Sequence, residues 1–356
     1  MSEDSPPPGS PRPPPTIAVD AMGGDHAPAE IVEGAIAAAA GHTMSVVLTG
    51  RPSQLRPLLG AHQGGGEIRV APADELVAMD EGALASWRRP RSSLAVACQL
   101  VRRGQAAAVV SAGSTAGIVA TARLRLRSLP GLLRPGLAVA LPIGPKPTLL
   151  VDAGAIADPK PEMMVQFAQL GVAYAQVAYG VEDPRVGLLT IGAEPMKGNK
   201  LARRAHELLA APPHGGLPIR FTGNIEGSDL LAGRVDVVVT DGFTGNVALK
   251  TIEGAGGFAT ELMRTALQGS PAARFGTLFQ RRALHELAGR MDAETYGGAA
   301  LLGLEGTVVI AHGGSKAKGI ASACRLAADL ARGRITERIR ERLGPSHRPG
   351  HFLRRQ

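Results

Sequence analysis

Four glycine-rich loops, each directly after a short apolar run, constrain this chain more than any other feature. They are Ala21-Met22-Gly23-Gly24-Asp25-His26 after 16–20, and Ser111-Ala112-Gly113-Ser114-Thr115 after 106–110. Then come Gly192-Ala193-Glu194-Pro195-Met196-Lys197-Gly198-Asn199 after 186–191, and Asp241-Gly242-Phe243-Thr244-Gly245-Asn246 after 235–240. Glycine lets backbone N–H groups come close to a ligand, and a helix N-terminus favours negative charge. Loops of this kind at the carboxyl ends of parallel strands are expected to converge on one crevice holding an anion, phosphate first.

The rest of the chain keeps the same rhythm. Apolar runs at 45–49, 67–71, 106–111, 186–191, 219–223, 235–240 and 308–311 read as strands. Segments at 28–40, 92–103, 162–179, 201–211 and 316–332 read as helices between them. This alternation predicts an α/β fold, a mostly parallel twisted sheet with helices on both faces. Runs at 138–142 and 148–151 are close enough for a hairpin or a sheet edge. Residues 1–15 carry seven prolines and read as a disordered tail. The α/β domain is expected over 16–332, followed by a basic, solvated tail over 333–356.

Between about 252 and 292 the rhythm breaks, and apolar residues recur at helical spacing on both sides of Gly269-Ser270-Pro271. This predicts a protruding helical hairpin. It carries three of the chain's seven phenylalanines and several arginines, a pattern suited to a second subunit, a membrane surface or an acidic partner. Plain core packing is the competing explanation.

Composition excludes several function classes. Aromatic residues are 3% of the chain, too few for stacked-base platforms, so nucleic acid is not an expected partner. The net charge is +8, and seven arginines against two glutamates in 333–356 account for most of it. Cys98 and Cys324 lie in apolar runs without metal-ligand spacing, so reduced, buried thiols are expected and no disulfide or zinc site. No metal or cofactor is expected. The N-terminal residues lack the basic and apolar regions of a signal peptide, and charge or glycine interrupts every apolar stretch before it reaches spanning length. Dinucleotide, P-loop, zinc-protease and serine-hydrolase fingerprints are absent.

The loops themselves supply the candidate side chains. Asp20, Asp25 and His26 surround the Gly23-Gly24 pair; a tight turn with Asp25 as a helix cap would explain one of the three. Lys197, Gly198 and Asn199 place a cation and an amide beside a glycine. Asn246 and Lys250 fall on one helix face after Asp241-Gly242, with capping the rival role for Asn246. His312 follows the last strand and could equally be a core histidine.

Long runs in this sequence resemble the phosphate acyltransferase (PlsX) family of bacterial phospholipid synthesis. They are IAVDAMGGDHAP at 17–28, SAGSTAG at 111–117, DAGAIADPKPE at 152–162 and PRVGLLTIGAEPMKGN at 184–199. They continue with FTGNIEGSDLL at 221–231, DVVVTDGFTGNVALKTIEG at 236–254 and YGGAALLGLEGTVVIAHG at 296–313. The resemblance covers about 16–332. It implies a fold like phosphotransacetylase and isopropylmalate dehydrogenase, and transfer of a fatty acyl group from acyl carrier protein to inorganic phosphate. It also implies a homodimer, a cytoplasmic protein peripherally attached to the membrane, and a downstream glycerol-3-phosphate acyltransferase that consumes the acyl phosphate. An acyl-CoA-dependent phosphotransacetylase-like enzyme and an idle phosphate- or acyl-binding scaffold are the rival readings. Lys197 and Asn246 become the catalytic candidates; Lys160 and Asn224, in two other matched runs, join the substrate-binding set. The family's usual asparagines are replaced here by Ser114 and Ile156, and Gly314 stands where a serine is common.

A thioester is already activated, and phosphate is a competent nucleophile at neutral pH. Such an enzyme needs positioning and an oxyanion donor more than a nucleophile–base pair. The expected arrangement puts Lys197 and Asn246 at the reacting carbonyl, with Ser114, Thr115 and N–H groups near Gly113 and Gly198 around phosphate. Arg264, Arg274, Arg281 and Arg282 are expected to meet the acidic carrier protein, and Phe275, Leu278 and Phe279 the membrane.

Overall fold

Three antiparallel steps in the middle of one sheet decide where every loop of this molecule ends up. The computed structural model describes residues 13–60, 66–75, 89–141, 147–212, 216–268 and 297–344. Its strands are β1 (Thr16–Asp20), β2 (Ser45–Gly50), β3 (Ile68–Pro72), β4 (Ala108–Ser111), β5 (Gly136–Leu141), β6 (Thr148–Val151), β7 (Arg185–Leu189), β8 (Arg220–Ile225), β9 (Val237–Val239), β10 (Ala299–Leu302) and β11 (Thr307–Ile310). They form a sheet in the order β3-β2-β1-β4-β11-β10-β5-β6-β9-β7-β8. Strands β3, β2, β1, β4 and β11 are mutually parallel, as are β6, β9, β7 and β8. The steps β11–β10, β10–β5 and β5–β6 are antiparallel. An odd number of reversals leaves the two parallel blocks pointing in opposite directions, so their carboxyl ends lie on opposite edges of the sheet.

The helices are α1 (Ala29–Ala39), α2 (Pro52–Gly60), α3 (Ser93–Arg102), α4 (Thr115–Leu126), α5 (Pro161–Tyr179), α6 (Lys200–Ala210), α7 (Gly242–Gln268), α8 (Ala317–Arg332) and α9 (Ile335–Leu343), with a 3-10 turn at Gly227–Leu231. Local chemistry starts several of them. Ser92, Ser114 and Asn199 each accept an N–H of their own helix's first turn, at 3.3, 3.3 and 2.8 Å. Helix α5 begins on Pro161 and stops at Gly180, which takes the left-handed conformation at φ 61°. Its Phe167 and Tyr174 are completely buried, each contributing roughly 2–3 kcal/mol of apolar transfer energy.

One sheet face packs against α1, α5, α8 and α9, with Leu55 of α2 and Ala205 and Leu209 of α6 joining the same core. The other face packs against α3 and α4 on one side and against α7 with the 3-10 turn on the other. Helix α4 touches β11 and α7 touches β6. Between them β10 and β5 form the floor of a groove.

The α/β expectation holds, with differences that have physical reasons. The pair at 138–142 and 148–151 is antiparallel and sits at the centre of the sheet, because β10 and β9 extend it on either side. Strand β10 went unread, its Ala-Ala-Leu-Leu run being neutral between helix and strand. The first half of the expected hairpin lies within α7, which runs unbroken for 27 residues from Gly242. The second half, with Arg274, Phe275, Leu278, Phe279, Arg281 and Arg282, lies outside the described residues, as do residues 1–12 and 345–356 of the two expected tails. Within 333–344 the chain is not a solvated end. Ile335, Ile339 and Leu343 are buried at one helical spacing, and Arg342 with them.

Candidate active site

The groove encloses about 1310 Å³, above the ~300–1,000 Å³ usual for compact small-molecule pockets, so it suits an elongated ligand. Its floor carries Leu137, Val139 and Leu141, alternate residues of β5 that share a face. One wall is the Thr115–Arg123 stretch of α4, the other the Asn246–Gly256 stretch of α7. Asn246 stands at one end and Thr115 at the other, with Lys250, Thr251 and Glu253 along the α7 wall.

At one end, Asn246 lies one turn into α7, beside the loop that follows β6. Asp152 organises that loop. Its buried carboxylate accepts N–H from Leu137 (2.9 Å), Gly154 (3.1 Å), Ala155 (2.9 Å) and Ile156 (2.7 Å). Burial raises its pKa, opposed by those four hydrogen bonds. The Gly242 N–H then donates to the Ile156 carbonyl at 2.9 Å, tying the start of α7 to the loop. Ile156 therefore works through its backbone, and the missing amide side chain leaves these bonds intact. A Cβ on Gly245 would overlap the Asp152 carbonyl oxygen, and one on Gly154 would stand 3.5 Å from the Asn246 side chain; Gly154 also has φ +137°. These two glycines set how closely Asn246 approaches the loop. Asp241 caps α7, accepting from the Thr244 N–H and hydroxyl, both at 2.8 Å. Lys250 is exposed and paired with Glu253 at 2.7 Å.

Lys197 does not line the groove. It stands exposed on the loop after β7, and β7 pairs directly with β9, the strand that leads to Asn246. Its side chain lies over Gly192, where a Cβ would come 2.8 Å from the lysine Cγ. Asn199 is the α6 cap. Asn224, on β8, is buried between His206 Nδ1 (2.8 Å) and the Glu194 carbonyl, to which it donates (2.7 Å), so it supports the Lys197 loop from behind. Lys160 is an exposed residue at the start of α5.

The other glycine loops lie at the opposite end, on the edge where β1, β4 and β11 finish. Asp20 is buried; it accepts the Ser111 hydroxyl at 2.7 Å and the Met22 N–H at 3.2 Å, and burial raises its pKa. Gly23 and Gly24 are there for space. A Cβ on Gly23 would sit 2.6 Å from the Asp20 carboxylate, and one on Gly24 2.9 Å from Ala112. The Gly113 N–H donates to Ser111 Oγ at 3.1 Å, and Ser114 is the α4 cap. Asp25 and His26 are exposed. Thr115 and His312 face the groove, with His312 Nδ1 accepting the Gly314 N–H at 3.1 Å. The loops after β4 and β9 thus reach opposite ends of the groove rather than a single point, and the loops after β1 and β7 lie on the same two edges without lining it, because the two blocks run in opposite directions.

Arg264 is exposed and bound to Glu261 on its own helix, at 2.7 Å. Two contributors escaped the sequence reading. Asp152 repeats a signal that was legible at Asp20, an aspartate ending an apolar strand just before a glycine. Arg123 lines the groove, and burial and the nearby Arg134 charge lower its pKa; nothing in the local pattern of α4 marks it out.

Among the described residues no cluster could hold a metal ion, and no helix is long and apolar enough to cross a membrane. A family model described as "Fatty acid synthesis protein" matches residues 15–338. The chain is 63% identical over 345 residues to a phosphate acyltransferase of Thermobifida fusca (strain YX), covering 97% of this chain and 96% of the relative. It is 43% identical over 330 residues to a phosphate acyltransferase of Gloeobacter violaceus, covering 92% and 96%. Among solved structures it resembles a phosphotransacetylase from Streptococcus pyogenes, with TM-score 0.58, 17% identity, and 89% and 94% of the two chains covered. A branched-chain phosphotransacylase from Enterococcus faecalis V583 gives TM-score 0.52 at 15% identity, covering 89% and 98%. These two likenesses concern the fold.

Proposed function

The chain belongs to the phosphate acyltransferase family, and on that premise we propose how its site carries out the family's reaction. The enzyme transfers an acyl group to inorganic phosphate, in fatty acid and phospholipid synthesis. We assign the reacting carbonyl to the Asn246 end of the groove. The observation that carries this is the scaffold of Asp152, Gly154 and Gly245, which packs the loop after β6 closely against the Asn246 turn at the groove's end.

In this reading a phosphate oxygen attacks the thioester carbonyl carbon. The carbon–oxygen electron pair moves onto oxygen, the tetrahedral intermediate collapses, and the carbon–sulfur bond breaks. The thiolate leaves and takes up a proton, giving acyl phosphate and free thiol. Asn246 donates its amide hydrogen bond to the developing oxyanion. Lys197, on the loop beside it, offsets the charge of the incoming phosphate once substrates are bound. Both act as fixed donors where charge develops, the most effective use of such groups. No residue is acylated.

The donor is an acyl carrier protein, docked on the arginines of α7 and the segment that follows it. The exposed apolar residues Phe243, Val247, Phe258 and Leu262 of α7 support a homodimer through this helix. Attachment to the membrane surface, delivering acyl phosphate to a glycerol-3-phosphate acyltransferase, completes the proposal.

The test is phosphate-dependent turnover of long-chain acyl carrier protein, with acyl phosphate trapped by hydroxylamine. Lys197→Ala and Asn246→Ala should each lower kcat by roughly two to three orders of magnitude without unfolding the protein. Near-normal turnover in either folded variant removes that residue from the mechanism. Labelled acyl group covalently retained on the protein refutes direct attack, and turnover of acyl-CoA alone refutes the carrier-protein donor.

A further inference from the structure

We propose that the acyl chain lies extended along the β5 floor between α4 and α7, its carbonyl at Asn246 and its methyl end near Gly256. The length of this groove then sets which chains are accepted. The inference rests on the carbonyl position argued above and adds what neither the motifs nor the relatives' names assign: the binding site of the chain and the residues that measure it.

Shape and chemistry point the same way. From Asn246 to Gly256 the α7 wall rises by ten residues, about 15 Å. From Leu137 to Leu141 the floor spans about 13 Å. Two elements of different kinds thus give the same length, which matches roughly ten to twelve carbons of an extended acyl group rather than a short one. Apolar residues make up the floor and part of each wall: Leu137, Val139 and Leu141 below, Val119 on α4, Leu249 and Ile252 on α7. Arg123 on α4 and Lys250, Thr251 and Glu253 on α7 also line the walls, so the apolar floor is what fits a hydrocarbon, with the reactive head placed at Asn246.

Gly256 marks the far end. It sits in the middle of a long helix, where glycine is the poorest residue after proline. Its φ lies outside the left-handed range and a Cβ would meet nothing within 4 Å, so neither backbone conformation nor packing calls for glycine. Gly256 lines the groove, as do Gly298 and Ala299 of the sheet. Val139 stands halfway, paired with Ala299 and Leu150 in the sheet and half-buried toward the groove.

Each methylene that enters such a trough should raise kcat/KM roughly fourfold, the factor that corresponds to burying one CH₂. Val139→Phe fills the middle of the floor and Gly256→Leu fills the far end. The readout is the ratio of kcat/KM for palmitoyl over butyryl carrier protein, measured on the full chain by hydroxamate trapping. With three or four methylenes displaced, Val139→Phe should lower that ratio roughly a hundredfold. Gly256→Leu should lower it less, because it displaces only the last methylenes. Because leucine is a better helix former, Gly256→Leu should unfold no earlier than the wild type.

Ratios within twofold of wild type in both variants overturn the proposal, as does a larger loss in Gly256→Leu than in Val139→Phe, which would reverse the chain's direction. A second arm separates this inference from the reaction itself. Binding of the fluorescent fatty acid cis-parinaric acid is titrated in the same three proteins. If the wild type binds it and Val139→Phe weakens binding at least tenfold, the chain site stands even if no acyl phosphate is made. Equal binding in all three refutes the site even if turnover is normal.

Discussion

Asp152→Asn should loosen the site and the fold together. The substitution keeps the shape of the side chain and one acceptor oxygen. That oxygen can still receive the N–H groups of Leu137, Gly154 and Ala155. The new NH₂ faces the Ile156 N–H, which now lies 2.7 Å from the second oxygen, so a donor meets a donor. Losing that bond and stranding its N–H costs about 1–3 kcal/mol. The three surviving bonds change from charged to neutral, which halves their strength and costs about 1–3 kcal/mol more. Against this, burial outweighs those bonds and raises the carboxyl's pKa, so a neutral side chain offsets their weakening. The net expectation is a loss of about 1–3 kcal/mol at pH 7, or a Tm fall of about 2–6 °C at about 2 °C per kcal/mol for a chain of this size.

Denaturant titration and hydroxamate trapping on the same preparation measure both consequences. Turnover should fall more than tenfold at a temperature where the variant is folded, because the Gly154–Ile156 loop that frames Asn246 hangs on this carboxylate. The pH trend checks the sign. A carboxyl whose pKa is raised in the folded state holds its proton longer there than in the unfolded chain. Stability from protonation is therefore present at low pH and lost as pH rises from the unfolded value of about 3.9 through the native one. The amide cannot titrate, so the variant's deficit should widen as pH is lowered. A deficit below about 1 kcal/mol at pH 7, or one that narrows on acidification, would refute the balance of burial and hydrogen bonding argued here.

Gly245→Ala should cut kcat at least tenfold with a smaller effect on KM, since its Cβ would overlap the Asp152 carbonyl and push the Asn246 turn outward; steady-state kinetics would check this. Arg342→Met should cost about 2–4 kcal/mol in denaturant titration while leaving turnover at 25 °C intact. It strands the Gln169 and Pro218 oxygens that the buried guanidinium contacts at 2.8 and 2.7 Å, and burial already lowers that group's pKa to about 10. Burial pushes the Cys98 and Cys324 thiols up to about 12, so iodoacetamide at pH 8 should label neither in the native protein and both after denaturation, as read by mass spectrometry.

Strands and helices were legible where period and punctuation agreed, as at β1, β4, α3 and α5. Helix α9 was hidden by composition. Its five arginines and glutamates read as solvated, yet Ile335, Ile339 and Leu343 recur four residues apart and turn one face inward. Arg342 is buried on that face and bonded to α5, which charge counting cannot anticipate. The candidate site was half legible. The loop after β9 and the loop after β7 could be found because glycines and amides interrupt apolar runs there. Asp152 could have been found by the pattern already read at Asp20, since in both an aspartate ends a strand and accepts N–H groups from its own turn.

The reversal of direction between the two parallel blocks was not legible, and it matters most for function. Periodicity reports which residues share a face, not which way a strand runs, so four similar strand–glycine–helix units looked as if they must open on one edge. Strands β10 and β5 reverse the sheet between them, and the units part into two sets. At the β1 edge the glycines answer close contacts with Asp20 and Ala112, and the Ser111 and Ser114 hydroxyls are engaged by Asp20 and by the α4 helix start. At the β6 edge the same vocabulary of glycine, aspartate and amide leaves Asn246 facing open space. The reversal also keeps the second face of β5 clear, because α4 enters from one edge and α7 from the other. What separates the two sets of loops is therefore what makes room for a long apolar chain between them.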